Sequence, residues 1–308
     1  MKRALVVSGG GSKGAFAAGL AAKLYERNYR WDNFYGTSTG ALVNLLIARN
    51  EFEELKQVYT SVTNKDIFNK PPFNQNGKLN LHRILWRILT GKTAIGEANN
   101  LLDLIKNTYN QEQHDKTIIQ GKRLAACVTN YTDGKVEFCY NELDNYETFI
   151  KYVFASASVP VAMDLVKIGD CEYLDGGVME HIPLQQAIND GSDEIDVIVL
   201  RPDYTECTNK WKSKNSISVI LRTIELMMKE ISESNLFTGL KNTHDKNIKI
   251  NIFYVPNNID GNSLVFDQKI MKEWWYSGYN VKLDFWEEPI FTKSSKSSLS
   301  IKNYKIQL

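Results

Sequence analysis

Three short stretches carry residue types suited to chemistry: Ser8–Gly14 (SGGGSKG), Gly36–Gly40 (GTSTG) and Asp175–Gly177 (DGG). In the second, Ser38 has a glycine two residues to either side. A serine on a tight turn between strand and helix projects its hydroxyl outward, and a Cβ at either glycine would collide with the bent backbone. The helix that follows turns its free N–H groups and positive dipole end back toward that hydroxyl. Ser38 is therefore a candidate nucleophile. The alternative is that Ser38 or Thr39 only caps the helix.

The first stretch admits two ligands. Gly9-Gly10-Gly11-Ser12-Lys13-Gly14 satisfies GxGxxG after a strand and before a helix, the fingerprint of dinucleotide binding and hence of an oxidoreductase. The same bare N–H groups can form an oxyanion hole. The dinucleotide pattern also wants an acidic residue at the end of the second strand, where this chain has Tyr35 and the serine turn. A phosphate-cradling P-loop fails because Gly14, not Ser or Thr, follows Lys13. The serine turn thus favours acyl transfer.

A serine nucleophile needs a base. The chain has four histidines, His82, His114, His181 and His244. His181 and His244 follow the serine as in the usual hydrolase order, but neither sits in a strong turn context. Asp175 does, after the strand-like Cys171–Leu174 and before Gly176 and Gly177. Taken alone, Asp175 reads as a hairpin-turn residue.

The elements that must position these groups follow from pattern. Ala4–Val7 is a buried strand, and Gly14–Tyr25 is a helix with Ala and Gly on one side. Trp31–Tyr35 is a second strand and Thr39–Arg49 a second helix. Strand, turn, helix, twice over, predicts a mostly parallel α/β sheet flanked by helices. Further along, Leu101–Tyr109 and Ser216–Phe237 read as helices. Leu124–Tyr131 with Lys135–Tyr140 reads as a hairpin, and Glu194–Leu200 and Ile248–Val255 read as strands. Leu81–Leu89 (LHRILWRIL) places Leu81, Leu85, Ile88 and Leu89 near one helix face and Arg83 and Arg87 near another. Such a stripe is either core-facing with a solvated basic side or interfacial, with Trp86 at a membrane surface. Residues 1–290 read as one catalytic domain and 291–308 as a polar, basic tail prone to fray.

Composition narrows the classes. At 308 residues with 43% hydrophobic and 24% charged, the chain is ordinary for a globular protein. A net charge of +1 creates no global field toward nucleic acid, so any membrane contact is local. The apolar run after Met1-Lys2-Arg3 is too short for a signal peptide, which predicts a cytoplasmic protein. The four cysteines, Cys127, Cys139, Cys171 and Cys207, form no CxxC pair, which argues against zinc. If Asp133-Gly134 closes a two-residue hairpin loop, Cys127 faces Tyr140 and Cys139 lies on the other sheet face, so these thiols are expected free.

In this order and at this spacing, GGGSKG, GTSTG and DGG resemble the patatin-like phospholipase family over about Ala4 to Leu200. Ala155-Ser156-Ala157-Ser158-Val159-Pro160 is similar to a further family segment, and Glu273–Tyr279 (EWWYSGY) to the family's closing helix. The resemblance implies a three-layer α/β/α fold and a Ser38–Asp175 dyad in place of a triad. It also implies an oxyanion hole around Gly10 and Gly11, with Lys13 as the loop's basic residue. The implied reaction is phospholipase A-type hydrolysis of lipid acyl esters, with neither metal nor cofactor.

Overall fold

The computed structural model describes residues 2–72, 80–202, 216–243, 248–257, 259, 263–281 and 301–304. In chain order these form β1 (Arg3–Val7), α1 (Gly14–Glu26), β2 (Asn33–Thr37), α2 (Thr39–Ile47), α3 (Phe52–Ser61), α4 (Asn64–Ile67), α5 (Leu81–Leu89), α6 (Asn99–Thr108) and α7 (Gln111–Ile119). There follow β3 (Arg123–Asn130), β4 (Lys135–Tyr140), α8 (Tyr146–Ser156), β5 (Val166–Ile168), β6 (Cys171–Asp175), α9 (Leu184–Asn189) and β7 (Glu194–Val199). The last elements are α10 (Ser216–Asn242), β8 (Lys249–Tyr254), α11 (Gln268–Tyr279) and β9 (Ile301–Tyr304).

The nine strands make one sheet in the order β5-β6-β3-β2-β1-β7-β8-β9, with β4 also paired to β3. The run β3-β2-β1-β7-β8-β9 is parallel. Parallel strands covered on both faces are apolar throughout, and β1 shows why. Leu5 and Val7 enter one core, with α1, α2, α6, α8 and α11. Ala4 and Val6 enter the other, beneath α9 and α10. The architecture is therefore three-layer α/β/α. The Ala and Gly side of α1 lets α11 approach closely: a Cβ on Gly19 would lie 2.0 Å from the Trp275 carbonyl oxygen. Trp274 and Trp275 are buried in that packing.

β1 lies between β2 and β7, so the chain leaves it in both directions. The crevice beyond the carboxyl ends of such strands is where open α/β sheets place their ligands. The glycine loop and the serine turn both open there.

Two expectations are corrected. The hairpin pairs Ala125 with Tyr140 and Asn130 with Lys135, so Cys127 faces Phe138. The loop is longer than two residues because the Asn130 Oδ1 accepts the Asp133 N–H and the Asn130 carbonyl accepts the Gly134 N–H. Cys127 and Cys139 still project to opposite faces, and Cys127, Cys139 and Cys171 are free thiols; Cys207 lies outside the described residues. The second correction is α5, whose expected basic side does not face solvent at Arg87. Its guanidinium is fully buried, donating to the Ala94 carbonyl at 2.7 Å, Glu97 at 3.0 Å and Asp164 at 2.8 Å. With that face turned inward, Leu85, Trp86 and Leu89 are 57%, 55% and 76% exposed, so at these positions the helix is not core-facing. Ile301–Tyr304, within the tail expected to fray, pairs in parallel with β8.

Among the described residues, no helix is long and apolar enough to cross a membrane.

Candidate active site

Ser38 follows the last residue of β2 with φ 56° and ψ −127°, a strained conformation for a residue with a Cβ. The turn closes so tightly that a Cβ on Gly36 would lie 2.4 Å from the Ala41 nitrogen, and one on Gly40 would lie 2.1 Å from the Val7 carbonyl oxygen. The Ser38 N–H donates to Ser156 Oγ at 3.0 Å, and Ser156 Oγ donates to the Cys127 carbonyl at 2.6 Å. One buried hydroxyl thus pins the turn to β3.

Asp175 reaches Ser38 because of how β3 is shared. Along one edge of β3, β2 pairs in parallel as far as Thr37 with Cys127. β4 occupies the opposite edge. At the next residue, Val128, antiparallel β6 takes over the edge vacated by β2, pairing through Asp175. The two strands therefore abut end to end, and their final residues deliver Ser38 and Asp175 to one seam. Asp175 N–H donates to the Ser158 carbonyl at 3.0 Å. Ser156, the last residue of α8, and Ser158, two residues on, thus hold one partner each.

The Asp175 carboxyl is fully buried. Burial pushes its pKa from 3.8 up to about 7, moderated by the nearby Ser38 hydroxyl and by the Gly177 N–H, which donates to Oδ1 at 2.7 Å. Among the described residues Oδ2 makes no hydrogen bond of ordinary geometry. The hydroxyl is thus close enough to favour the charged form but not locked to it.

Four of the six loop amides from Gly9 to Gly14 are committed. Gly9 donates to the His181 carbonyl, Ser12 to Ser263, Lys13 to Gly10, and Gly14 to Gly11 and Ser12. Among the described residues the N–H groups of Gly10 and Gly11 make no hydrogen bond, which narrows the available donors to these two. Gly11 has φ 55°, and a Cβ there would lie 2.0 Å from the Ser263 carbonyl oxygen.

The histidines are placed differently. His181 is buried, and a Cβ on Gly9 would lie 2.9 Å from its Nε2 and one on Gly177 3.1 Å from its Cδ2. The imidazole therefore wedges between the glycine loop and the DGG turn. Burial, reinforced by Arg201 and Lys13, lowers its pKa to about 4, so it is neutral at physiological pH. Its Nδ1 has no hydrogen-bond partner among the described residues. His114 packs among Tyr109, Tyr146 and Phe149; His82 is exposed on α5; His244 lies outside the described residues. Asn235 on α10 braces the segment after the DGG turn, accepting the His181 N–H at 2.8 Å and donating to Glu180 at 3.1 Å.

From Ser38, Thr39 and Gly11 an apolar slot of about 70 Å³ runs inward between α2, α3 and α6, past Leu42, Tyr59 and Ile105. Sequence reasoning missed this slot and the Ser156/Ser158 brace. Ser156 and Ser158 stood out only as part of a small-residue segment, with nothing to show what they hold.

A three-layer α/β protein with a glycine-flanked serine elbow at the carboxyl end of a parallel sheet, and an apolar slot behind it, falls in the broad class of α/β acyl-hydrolase scaffolds. The family model for the patatin-like phospholipases matches residues 5–188, and the chain belongs to that family. Members of this family are lipid acyl hydrolases. The chain is also similar to the uncharacterized protein YjjU of Escherichia coli K12, 23% identical over 211 residues, covering 68% of this chain and 54% of that one. It thus spans about half the length of that curated relative. Among solved structures, VipD from Legionella pneumophila aligns with a TM-score of 0.45 at 13% identity, covering 90% of this chain and 67% of that one.

Proposed function

We propose that the protein hydrolyses acyl esters of phospholipids or related lipids, with Ser38 as nucleophile and Asp175 as general base. The observation that supports this reading is the seam on β3, where β2 and β6 end next to each other with Ser38 and Asp175 at their ends. Ionised Asp175 takes the Ser38 proton as Oγ attacks the ester carbonyl. The Gly10 and Gly11 amides stabilise the oxyanion, each such donor being worth ~3 kcal/mol. Collapse of the tetrahedral intermediate expels the alcohol, which takes the proton from Asp175 and leaves an acyl-serine. Water, deprotonated by the same carboxylate, then releases the fatty acid and restores Ser38. An ordinary aspartate is a weak base for this step; a pKa of about 7 suits one working near neutral pH.

The apolar slot receives the acyl chain. The outward Leu85, Trp86 and Leu89 of α5 meet the lipid surface transiently, since a Trp–Leu face suits the boundary between headgroups and acyl chains. The helix is fastened through Arg87 to Asp164, adjacent to the slot residue Met163.

The test is labelling by a serine-reactive fluorophosphonate. Wild type should label and Ser38→Ala should not. Absence of labelling in folded wild type, with a nucleotide cofactor co-purifying, would instead favour the dinucleotide reading of the glycine loop.

A further inference from the structure

Val58, Val62 and Leu104 line the slot, and the same three side chains line a second hollow of about 340 Å³. One layer of aliphatic side chains therefore separates the two spaces. Their chemistry differs sharply: the second hollow is lined by Glu54, Gln57, Ser61 and Asp66. Glu54 is held there by Arg49 at 3.0 Å, and Asp66 by its capping bonds to Thr63. An acyl tail gains by entering the slot but meets carboxylates and water beyond the partition.

We propose that Val58, Val62 and Leu104 form an end wall that limits the acyl chain this site accepts. The inference rests on the acyl-hydrolase reading above. The slot is lined mostly by aliphatic side chains, so an acyl chain that ends at these three residues is covered along its length. Each methylene that finds apolar cover improves capture about fourfold. A longer chain must push into packed side chains, which lowers capture roughly tenfold or more. Removing part of the wall joins the slot to the second hollow. Long chains are then tolerated more than favoured, because the new space is polar.

The experiment uses alkyl fluorophosphonates of four, eight and sixteen carbons, whose alkyl chain stands where the acyl chain would lie. Ser38 Oγ forms a bond to phosphorus, fluoride leaves, and the proton passes to Asp175. The readout is the ratio of labelling rates for the sixteen- and eight-carbon probes. We expect a ratio of about 0.1 or less in wild type and a rise of about tenfold in Leu104→Ala and in Val58→Ala. Circular-dichroism melts establish that each variant is folded; if Leu104→Ala is not, Val58→Ala carries the comparison. A wild-type ratio near one, or an unchanged ratio in the folded wall variants, overturns the end wall while leaving the hydrolase reading standing. Failure of Ser38 to label at every chain length overturns both.

Discussion

Replacing Asp175 with Asn should remove the chemistry proposed for it and, at alkaline pH, make the fold more stable. At about 1.4 kcal/mol per pKa unit, the rise from 3.8 to about 7 means that ionised Asp175 costs the folded state about 4 kcal/mol above pH 7. The sign follows from linkage. Below about pH 3 the carboxyl is protonated in both folded and unfolded chains. Between pH 4 and 7 the unfolded chain releases its proton first, so stability falls as pH rises through the folded pKa and is flat above it. Asn is neutral throughout and can still accept the Gly177 N–H. Any fixed cost of fitting its amide group cancels when two pH values are compared. Between pH 4.5 and 8.5 the stability of the variant relative to wild type should rise by about 3 kcal/mol, or roughly 5 °C in melting temperature. Paired thermal melts at these two pH values measure it. A variant-minus-wild-type difference that stays constant between them would refute a buried carboxylate whose ionisation opposes folding. The wild-type kcat/KM should rise about tenfold per pH unit below pH 7 and level off above it.

The other expectations concern the groups around the pair. Ser156→Ala leaves the buried Ser38 N–H unpartnered, at a cost of about 1–3 kcal/mol. Because the serine turn is then loosened, kcat should fall about tenfold with KM little changed, read by steady-state kinetics and a melt. His181→Ala should keep turnover within about threefold while lowering the melting temperature, because the imidazole is neutral wedge packing; a loss of about a hundredfold in folded protein would restore a Ser–His triad. Leu85→Ala with Trp86→Ala should weaken binding to phospholipid vesicles about tenfold or more; co-sedimentation as strong as wild type would remove α5 from the lipid interface.

Much of the fold was legible because its signals are local. β1 declares itself as an unbroken apolar run ending in glycines, and α2 as an apolar helix beginning one residue after Ser38. The glycines of GTSTG announce the elbow, since only a missing Cβ admits the Val7 carbonyl at Gly40. The hairpin register was misread because the side-chain bond of Asn130 to the Asp133 N–H competes with a tight turn, and an Asp-Gly pair does not reveal it. The direction of α5 was left open for a similar reason. Periodicity locates a stripe of side chains, but it cannot show that Asp164, many residues away, draws Arg87 inward and turns Leu85 and Leu89 out.

The amino-acid order alone determined which groups are suited to react and which backbone must be bare, because residue type and glycine spacing act within a few bonds. Only the folded chain decided that Ser38 and Asp175 lie at one seam, since that depends on β2 and β6 dividing one edge of β3. It also decided the basicity of that carboxylate, through burial among residues distant in sequence, and it lined the slot with aliphatic side chains drawn from α3, the residue that ends it and α6. Proximity, desolvation and enclosed volume belong to the packed assembly, and no local pattern encodes them.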